Sequence, residues 1–176
     1  MRRGLKTLIV AAILLAPCVV GSRAQPASED AREIARHGAW VVMAASPGGQ
    51  LTCFATTQPK SSQPAATQRE QPYLYISAWP REGVKAEVSV AGGFAYRKGS
   101  TVTLTIGASN FALFTAGDRA FVADPTAELK LIDAMKKGSS LQVKSLDERG
   151  TITTDTYSLA GLTPTLAALT QGCGGR

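Results

Sequence analysis

The sequence predicts a mainly β protein, an antiparallel sandwich or open barrel with one internal helix and a short C-terminal helix. Eight or nine short runs of β-branched, aromatic and aliphatic residues recur at roughly ten-residue spacing between residues 40 and 159, with turn residues between them. Two further stretches have helical rather than alternating periodicity. The sequence contains no repeat at a period of 20–50 residues, so we expect neither a solenoid nor a propeller.

The first 24 residues resemble a secretory signal peptide. A basic N-terminus precedes an apolar run over 8–20, and Ser22 and Ala24 are the small residues that fit cleavage after Ala24. This run has 13 residues, whereas a transmembrane helix needs about 20, so we expect no stable membrane span. A lipoprotein site at Cys18 is the alternative, but Pro17 stands where a small residue is needed. The predicted mature protein is periplasmic or secreted.

The net charge of +6 belongs mostly to this signal segment. The segment contains four of the 19 basic residues and none of the 13 acidic ones, so the predicted mature chain is only weakly basic. Its remaining basic residues are scattered, without the dense patch that nucleic-acid binding requires. We therefore expect no nucleic-acid partner.

We divide the chain into a cleaved signal over 1–24, a polar leader or short frayed helix over 25–37, and a single β-rich domain over 38–176. Two cysteines, Cys53 and Cys173, remain after cleavage. An even cysteine count in an oxidising compartment predicts one disulfide between them, and two unpaired thiols are the alternative.

The N-terminal half of the domain predicts four strands and a long loop. Runs over 40–44 and 51–56 flank a Ser-Pro-Gly-Gly turn and form a hairpin. The stretch over 58–72 contains three prolines, four glutamines and no aliphatic run, so it predicts a long surface loop. Strands follow over 73–79 and 84–90.

The C-terminal half predicts further strands and both helices. The strands cover 101–106, 111–115, 120–122, 141–146 and 151–159. The internal helix begins after Asp124, a good N-cap, with Pro125 in the first helical position, and it ends at Gly138. A short helix from about Pro164 leads to Cys173.

The sequence contains no recognisable catalytic, metal-binding or cofactor-binding pattern, and we expect no enzymatic activity. His37 is the only histidine, and it has no partners at zinc spacing. Nucleophile-elbow and phosphate-loop motifs are absent. The alternative is an envelope hydrolase with paired carboxylates, for which Asp118, Asp124 and Asp155 are candidates. We favour a structural role for each of them: Asp118 as a turn residue, Asp124 as a helix cap and Asp155 as a residue on the solvent face of a strand.

An aromatic stripe lies on the predicted strand over 73–79. Tyr73, Tyr75 and Trp79 share strand parity and therefore one face of the sheet. The pattern fits a ligand- or partner-binding surface, including the pocket of a small-molecule carrier, and it also fits an ordinary core. We favour the core because aromatic side chains contribute much of core burial. Leu74 and Ile76 on the opposite face leave the choice open.

An ordered set of short motifs over residues 38–173 resembles the invasion-associated locus B family. The motifs are Gly38-Ala39-Trp40, Cys53-Phe54, Pro72-Tyr73-Leu74-Tyr75-Ile76-Ser77, Glu87-Val88-Ser89-Val90, the stretches 111–118 and 131–138, Arg149-Gly150-Thr151, the stretch 155–162, and Cys173. The chain departs from the family at two places. Many members have a cysteine in the stretch that holds Met43 and Ala44 here, and many have tryptophan where this chain has Phe121.

The resemblance implies an exported protein of alphaproteobacteria without an established enzymatic activity. The family is named for a member linked to host-cell invasion, and many relatives come from free-living species. We therefore predict a non-enzymatic protein-interaction module of the cell envelope, without a cofactor. Its predicted partner is another envelope protein or a host-surface protein.

Overall fold

The computed structural model describes residues 31–65, 68–79 and 82–173, and these form one antiparallel sheet with two helices. The strands are β1 (Arg32–His37), β2 (Trp40–Ala45), β3 (Thr52–Thr57), β4 (Ser61–Gln63), β5 (Tyr73–Trp79), β6 (Val84–Ala91), β7 (Thr101–Ile106), β8 (Ser109–Ala116), β9 (Arg119–Phe121), β10 (Ser140–Leu146) and β11 (Ile152–Ser158). The helices are α1 (Pro125–Lys137) and α2 (Leu162–Cys173), and a 3-10 turn covers Pro47–Gly49. The predicted mainly β fold, with one internal and one C-terminal helix, is confirmed.

The sheet curls so that its two ends meet. Its strand order is β1-β2-β3-β5-β6-β9-β8-β7-β10-β11-β4. Strand β3 is near one end of this order, and β4, which pairs with β11, is at the other end. Only three residues connect β3 to β4, so the two ends of the sheet must lie close together. Across the same junction, Trp40 Nε1 donates to the Ser158 carbonyl at 3.1 Å. These contacts give the sheet the form of an open barrel.

The core lies on the inner face of the curled sheet, because alternate residues of each strand point inward. On β7, Val102, Leu104 and Ile106 are buried, and the strands β2 and β3 follow the same alternation, as does the first half of β5. Helix α2 packs against β1, β2, β3 and β5, while α1 packs against β6 and β8 and touches α2. The two helices thus cover the core that the sheet leaves open.

Helix α1 has the ends that the sequence predicts. The carboxylate of Asp124 accepts a hydrogen bond from the Ala127 backbone nitrogen at 2.8 Å, and Pro125 is the first helical residue. At the other end, the Gly138 backbone nitrogen donates to the Ala134 carbonyl at 2.9 Å. Both ends therefore satisfy backbone groups that a helix terminus leaves unpaired.

Removing this cap tests the assignment of the helix start. We expect Asp124→Ala to lower the free energy of unfolding by about 1 kcal/mol, because the Ala127 backbone nitrogen loses its acceptor. Asp124→Asn, which keeps a side-chain acceptor, should lose much less. Urea denaturation of the three proteins measures the difference, and equal losses in both variants would contradict the capping role.

Two segments differ from their predictions. The leader or frayed helix predicted over 25–37 is wrong for Arg32–His37, which form the edge strand β1 paired with β2. The surface loop predicted over 58–72 contains the short strand β4, and its Arg69 side chain is buried. The signal predicted over 1–24 lies outside the described residues.

Candidate binding surface

The tyrosines of β5 lie on the outer face of the sheet. Leu74 and Ile76 are fully buried on the inner face, so the residues between them point outward. Tyr73 and Tyr75 remain partly exposed there. The preferred assignment of these rings to the core is therefore wrong. The physical reason is that the side chains on the opposite face of β5, Leu74 and Ile76, already occupy the core there.

Trp79 does not join the two tyrosines. It follows a register irregularity between Ser77 and Trp79, where β5 pairs with β6, and it is partly exposed at the end of the strand. It lines neither of the two grooves described below. Of the three aromatic residues predicted to share a surface, the structure brings together Tyr73 and Tyr75.

Phe54 completes a row of three rings, which we call the aromatic ladder (Tyr73, Tyr75 and Phe54). The ring centroids of Tyr73 and Tyr75 are 5.8 Å apart, and those of Tyr75 and Phe54 are 6.0 Å apart. Phe54 of β3 pairs with Ser77 of β5, two residues beyond Tyr75. Tyr73 and Tyr75 follow each other along β5, because every second residue lines one face, and Phe54 continues the row from the neighbouring strand β3.

Cationic and aromatic side chains extend the ladder across the sheet. The Arg119 guanidinium lies over the Tyr75 ring, 4.7 Å from its centroid, an arrangement that the ring quadrupole stabilises. Phe121 of β9 and Phe114 of β8 form a ring pair 5.8 Å apart, and the side chain of Phe114 is 49% exposed. Ser89 of β6 pairs with Tyr75 on one side and with Phe121 on the other, so this ring pair lies in the same cross-strand row as Tyr75.

The ladder separates two surface grooves. The first, of about 800 Å³, is mostly apolar, and Val41, Met43 and Phe54 line it together with the charged residues Glu33, Arg36 and Lys60. The second, of about 420 Å³, is more polar and is lined by Glu70, Asp118 and Arg119 among others. Tyr73 and Tyr75 line both grooves. A ligand in either groove would therefore contact the tyrosines.

The hydroxyl of Tyr73 is oriented by a neighbour. Gln58 Nε2 donates to Tyr73 Oη at 3.0 Å. Because the oxygen accepts this bond, the phenol hydrogen points elsewhere and can be donated to a ligand. The aromatic ladder thus combines apolar ring area with a hydrogen-bond donor.

Behind this face, the barrel interior contains a buried ion pair. The side chains of Arg69 and Asp155 are 5% and 1% exposed. Arg69 Nη1 donates to Asp155 Oδ2 at 2.9 Å, and Nη2 donates to Asp155 Oδ1. Ser62 Oγ also donates to Oδ1 at 2.6 Å, and Arg69 Nη1 reaches the Gly92 carbonyl at 2.9 Å. The prediction that Asp155 lies on the solvent face of its strand is therefore wrong. Asp155 lies in the interior, where both of its carboxylate oxygens accept hydrogen bonds.

Two tyrosines lie in the electrostatic field of this pair. Burial is the main cause that raises the pKa of the Tyr96 and Tyr157 hydroxyls, and the negative charge of Asp155 adds to it. Both phenols therefore stay protonated. Tyr96 Oη donates to the Val90 carbonyl at 3.4 Å, whereas the buried Tyr157 hydroxyl has no hydrogen-bond partner within the described part of the chain.

The other candidate residues lie apart and have local structural roles. Asp118 is exposed in the turn between β8 and β9, Asp124 caps α1, and His37 ends the edge strand β1. Over residues 31–65, 68–79 and 82–173, no group of three or more histidine, cysteine or acidic side chains is placed to hold a metal ion. No helix in these ranges is both long and apolar enough to cross a membrane.

The predicted cysteine pair is found at disulfide geometry. Cys53 on β3 and Cys173 at the end of α2 are joined, with Cα atoms 5.8 Å apart and a sequence separation of 120. Both cysteines are buried. The bond therefore ties the C-terminal helix to the strand that carries Phe54.

The fold and this surface define a disulfide-linked antiparallel β protein with an aromatic ladder on its outer face. The sequence profile described as Invasion associated locus B (IalB) protein matches residues 40–170. The chain therefore belongs to the invasion associated locus B family, as the sequence motifs indicated.

A solved structure supports the same fold. The crystal structure of invasion associated protein b from Bartonella henselae superposes with a TM-score of 0.57 at 14% sequence identity, covering 80% of this chain and 98% of that one. At this identity the likeness concerns the fold alone. Comparison with curated protein sequences finds no significant match.

Proposed function

We propose that this protein is exported and acts as a non-enzymatic protein-interaction module of the cell envelope, with the aromatic ladder as its contact surface. The observation that carries the proposal is the row of three partly exposed rings beside an apolar groove. Tyrosine, phenylalanine and arginine are enriched at protein interfaces, where their large area is buried on binding. Arg119 over Tyr75 adds a residue of this kind to the ladder.

Export is supported by two independent features. The N-terminal sequence has the basic, apolar and small-residue regions of a signal peptide. The disulfide between Cys53 and Cys173 suits the periplasm or the exterior, because the cytosol keeps thiols reduced. Both features support the proposal that the protein is periplasmic or secreted.

A contact role in host invasion is one form of the proposed function. The Bartonella henselae protein of similar fold is named invasion associated, and the family carries the same description. We propose as partner either another envelope protein or a host-surface protein.

A hydrolase with paired carboxylates has less support. A general acid or base must reach the substrate, whereas both oxygens of Asp155 accept hydrogen bonds from buried donors. Asp118 lies in an exposed turn. A small-molecule carrier would need an enclosed apolar cavity, and the ladder lies beside surface grooves instead.

In-cell crosslinking tests the proposal. Tagged full-length protein is crosslinked in living cells, the attached proteins are identified by mass spectrometry, and fractionation locates the adducts. We expect one recurrent envelope or host-surface protein, and we expect Tyr75→Ala to reduce the adduct at least tenfold, because the ring at the centre of the surface is lost. Leu129→Ala, at a 67% exposed position on α1 outside the grooves, is the control and should leave it unchanged.

A cytoplasmic location of the folded protein would contradict the proposal. So would the absence of any recurrent adduct from folded, exported protein. An adduct that is equally abundant in wild type and Tyr75→Ala would show that another surface makes the contact.

A further inference from the structure

The second groove, of about 420 Å³, is lined by three segments of the chain, over 70–75, 91–95 and 118–119. We propose that this groove binds a neutral saccharide unit. The inference goes beyond the proposed function, because it concerns a ligand other than protein and a groove that includes residues outside the aromatic ladder. Tyr73 and Tyr75 border both sites.

Backbone contacts hold the walls of this groove together. The Glu70 backbone nitrogen donates to the Gly93 carbonyl at 2.9 Å, and the Gly92 backbone nitrogen donates to the Asp118 backbone carbonyl at 3.4 Å. Gly93 has a φ of +75°, and a Cβ at this position would collide with the Glu70 carbonyl, so the close approach requires glycine. The three segments are therefore fixed relative to one another before a ligand binds, which lowers the entropy lost on binding.

The buried ion pair supports the same wall. Arg69, the neighbour of Glu70 in sequence, donates from Nη1 to the Gly92 carbonyl at 2.9 Å, and its guanidinium lies 5.5 Å from the centroid of the Phe94 ring. Both carboxylate oxygens of Asp155 hold this guanidinium in place. The interior charge pair thus gives Glu70 and Phe94 a rigid support, as in a preformed ligand site.

The groove offers hydrogen-bond acceptors and donors side by side. The carboxylates of Glu70 and Asp118 accept, whereas the Arg119 guanidinium only donates. Both acidic residues are exposed, and neither takes part in an ion pair within the described part of the chain. A hydroxyl group donates and accepts at once. Neighbouring hydroxyls of one sugar ring can therefore bond to a carboxylate and to the guanidinium together.

Aromatic rings complete the match to a sugar. Tyr73, Tyr75 and Phe94 line the groove, and the face of an aromatic ring carries partial negative charge. The polarised C–H groups on one side of a sugar ring pack against such a face. Because the Arg119 guanidinium already covers the Tyr75 ring at 4.7 Å, we assign this packing to Tyr73 and Phe94.

The same residues disfavour other classes of ligand. Two carboxylates and one guanidinium give the groove a net negative charge, which repels phosphate and carboxylate groups. A cationic ligand would meet Arg119, whose guanidinium already occupies the Tyr75 ring. An entirely apolar ligand would bury the carboxylates without hydrogen-bond partners. A neutral ligand with several hydroxyls avoids all three costs.

An NMR titration of the isotope-labelled, oxidised, exported chain tests the inference. The probes are the methyl glycosides of glucose, galactose, mannose and N-acetylglucosamine, and a Gly-Ser peptide is the reference. We expect at least one glycoside to shift the backbone signals of Gly93, Phe94, Asp118 and Arg119. The phosphorylated form of the same sugar should bind at least tenfold more weakly, because the groove is negatively charged.

Two variants connect binding to the groove. We expect Asp118→Ala to weaken binding of the glycoside at least tenfold, because a hydrogen bond to a charged group is lost, and Glu70→Ala to have a similar effect. Asp133→Ala, at an exposed acidic position on α1 outside the groove, is the matched control and should leave binding unchanged. Thermal unfolding shows whether each variant is folded. If Asp118→Ala does not fold, Glu70→Ala decides the matter.

Two solid supports distinguish the possible sources of the saccharide. Purified peptidoglycan and an immobilised glycoprotein with neutral glycans are compared, each with wild type and with a folded groove variant. Retention on peptidoglycan indicates a cell-wall source, and retention on the glycoprotein that is lost after removal of its glycans indicates a glycoprotein source. Either result supports the inference if the groove variant is not retained.

Three outcomes would overturn the inference. No glycoside would shift signals at the groove, the binding would be unaffected by both folded groove variants, or the Gly-Ser peptide or the sugar phosphate would bind there as tightly as the glycoside. If the cellular adduct still depends on Tyr75, the proposed function stands and only this inference fails. If a glycoside binds but no cellular adduct forms, the proposed function fails instead.

Discussion

Arg69→Met lowers the free energy of unfolding by about 3–5 kcal/mol, because it leaves the carboxylate of Asp155 buried without its cation. Asp155 is 1% exposed, so water cannot replace the lost partner. The same substitution removes the bond to the Gly92 carbonyl and the contact of the guanidinium with the Phe94 ring. Urea denaturation of the oxidised protein measures the loss.

Two comparisons isolate the buried charge. Arg36→Met removes an exposed arginine from its ion pair with Glu33, and we expect a much smaller loss than for Arg69→Met, because solvent screens an exposed pair. The double variant Arg69→Met/Asp155→Leu removes both charges and should recover much of the loss, since apolar side chains can replace a buried ion pair. A single-variant loss no larger than that of Arg36→Met would contradict the buried ion pair.

Loss of the disulfide has a comparably large effect. Replacing Cys53 and Cys173 together with alanine should lower the free energy of unfolding by about 4–5 kcal/mol, because the chain-entropy model assigns this to a loop of about 120 residues. The mechanism is that the unfolded chain regains the freedom that the bond removes. Chemical denaturation of oxidised wild type and of the double variant measures the difference.

Reduction of the wild-type protein provides the matched control. The reduced protein should lose nearly as much stability as the double alanine variant, and its intact mass should rise by two hydrogens. An unchanged mass on reduction, or a double variant as stable as oxidised wild type, would contradict the bond.

Local signals predicted most of the fold. The cap at Asp124 and the end of the helix at Gly138 depend on neighbouring backbone groups, so the sequence contains all the information that they need. Alternation in β7 places Val102, Leu104 and Ile106 inward for the same reason. The cysteine pairing was predictable because only two cysteines follow the predicted signal segment.

The edge strand β1 and the short polar strand β4 have no local sequence pattern that predicts a strand. Strand β1 has no regular alternation, because it is an edge strand and none of its side chains is fully buried. Strand β4 has three polar residues, and it exists because β11 offers a backbone edge. Both strands depend on long-range pairing, which propensity and periodicity do not report.

The faces of β5 and β11 also required tertiary information. Both faces of β5 are apolar in sequence, and the smaller aliphatic residues fill the core while Tyr73 and Tyr75 remain outside. In β11, Asp155 points inward because Arg69, 86 residues away, enters the interior to meet it. Phe54 and Arg119 joined the surface through cross-strand register, so no local pattern identified them.

Site-specific photocrosslinking in living cells tests the central claim, that the aromatic ladder is the contact surface. A photoreactive phenylalanine analogue replaces Tyr73 in one protein and Leu129, on α1, in a second. The proposed function predicts a strong adduct with one identified envelope or host-surface protein from position 73 and none from position 129. An adduct from position 129 alone, or equal adducts from both positions, would contradict it.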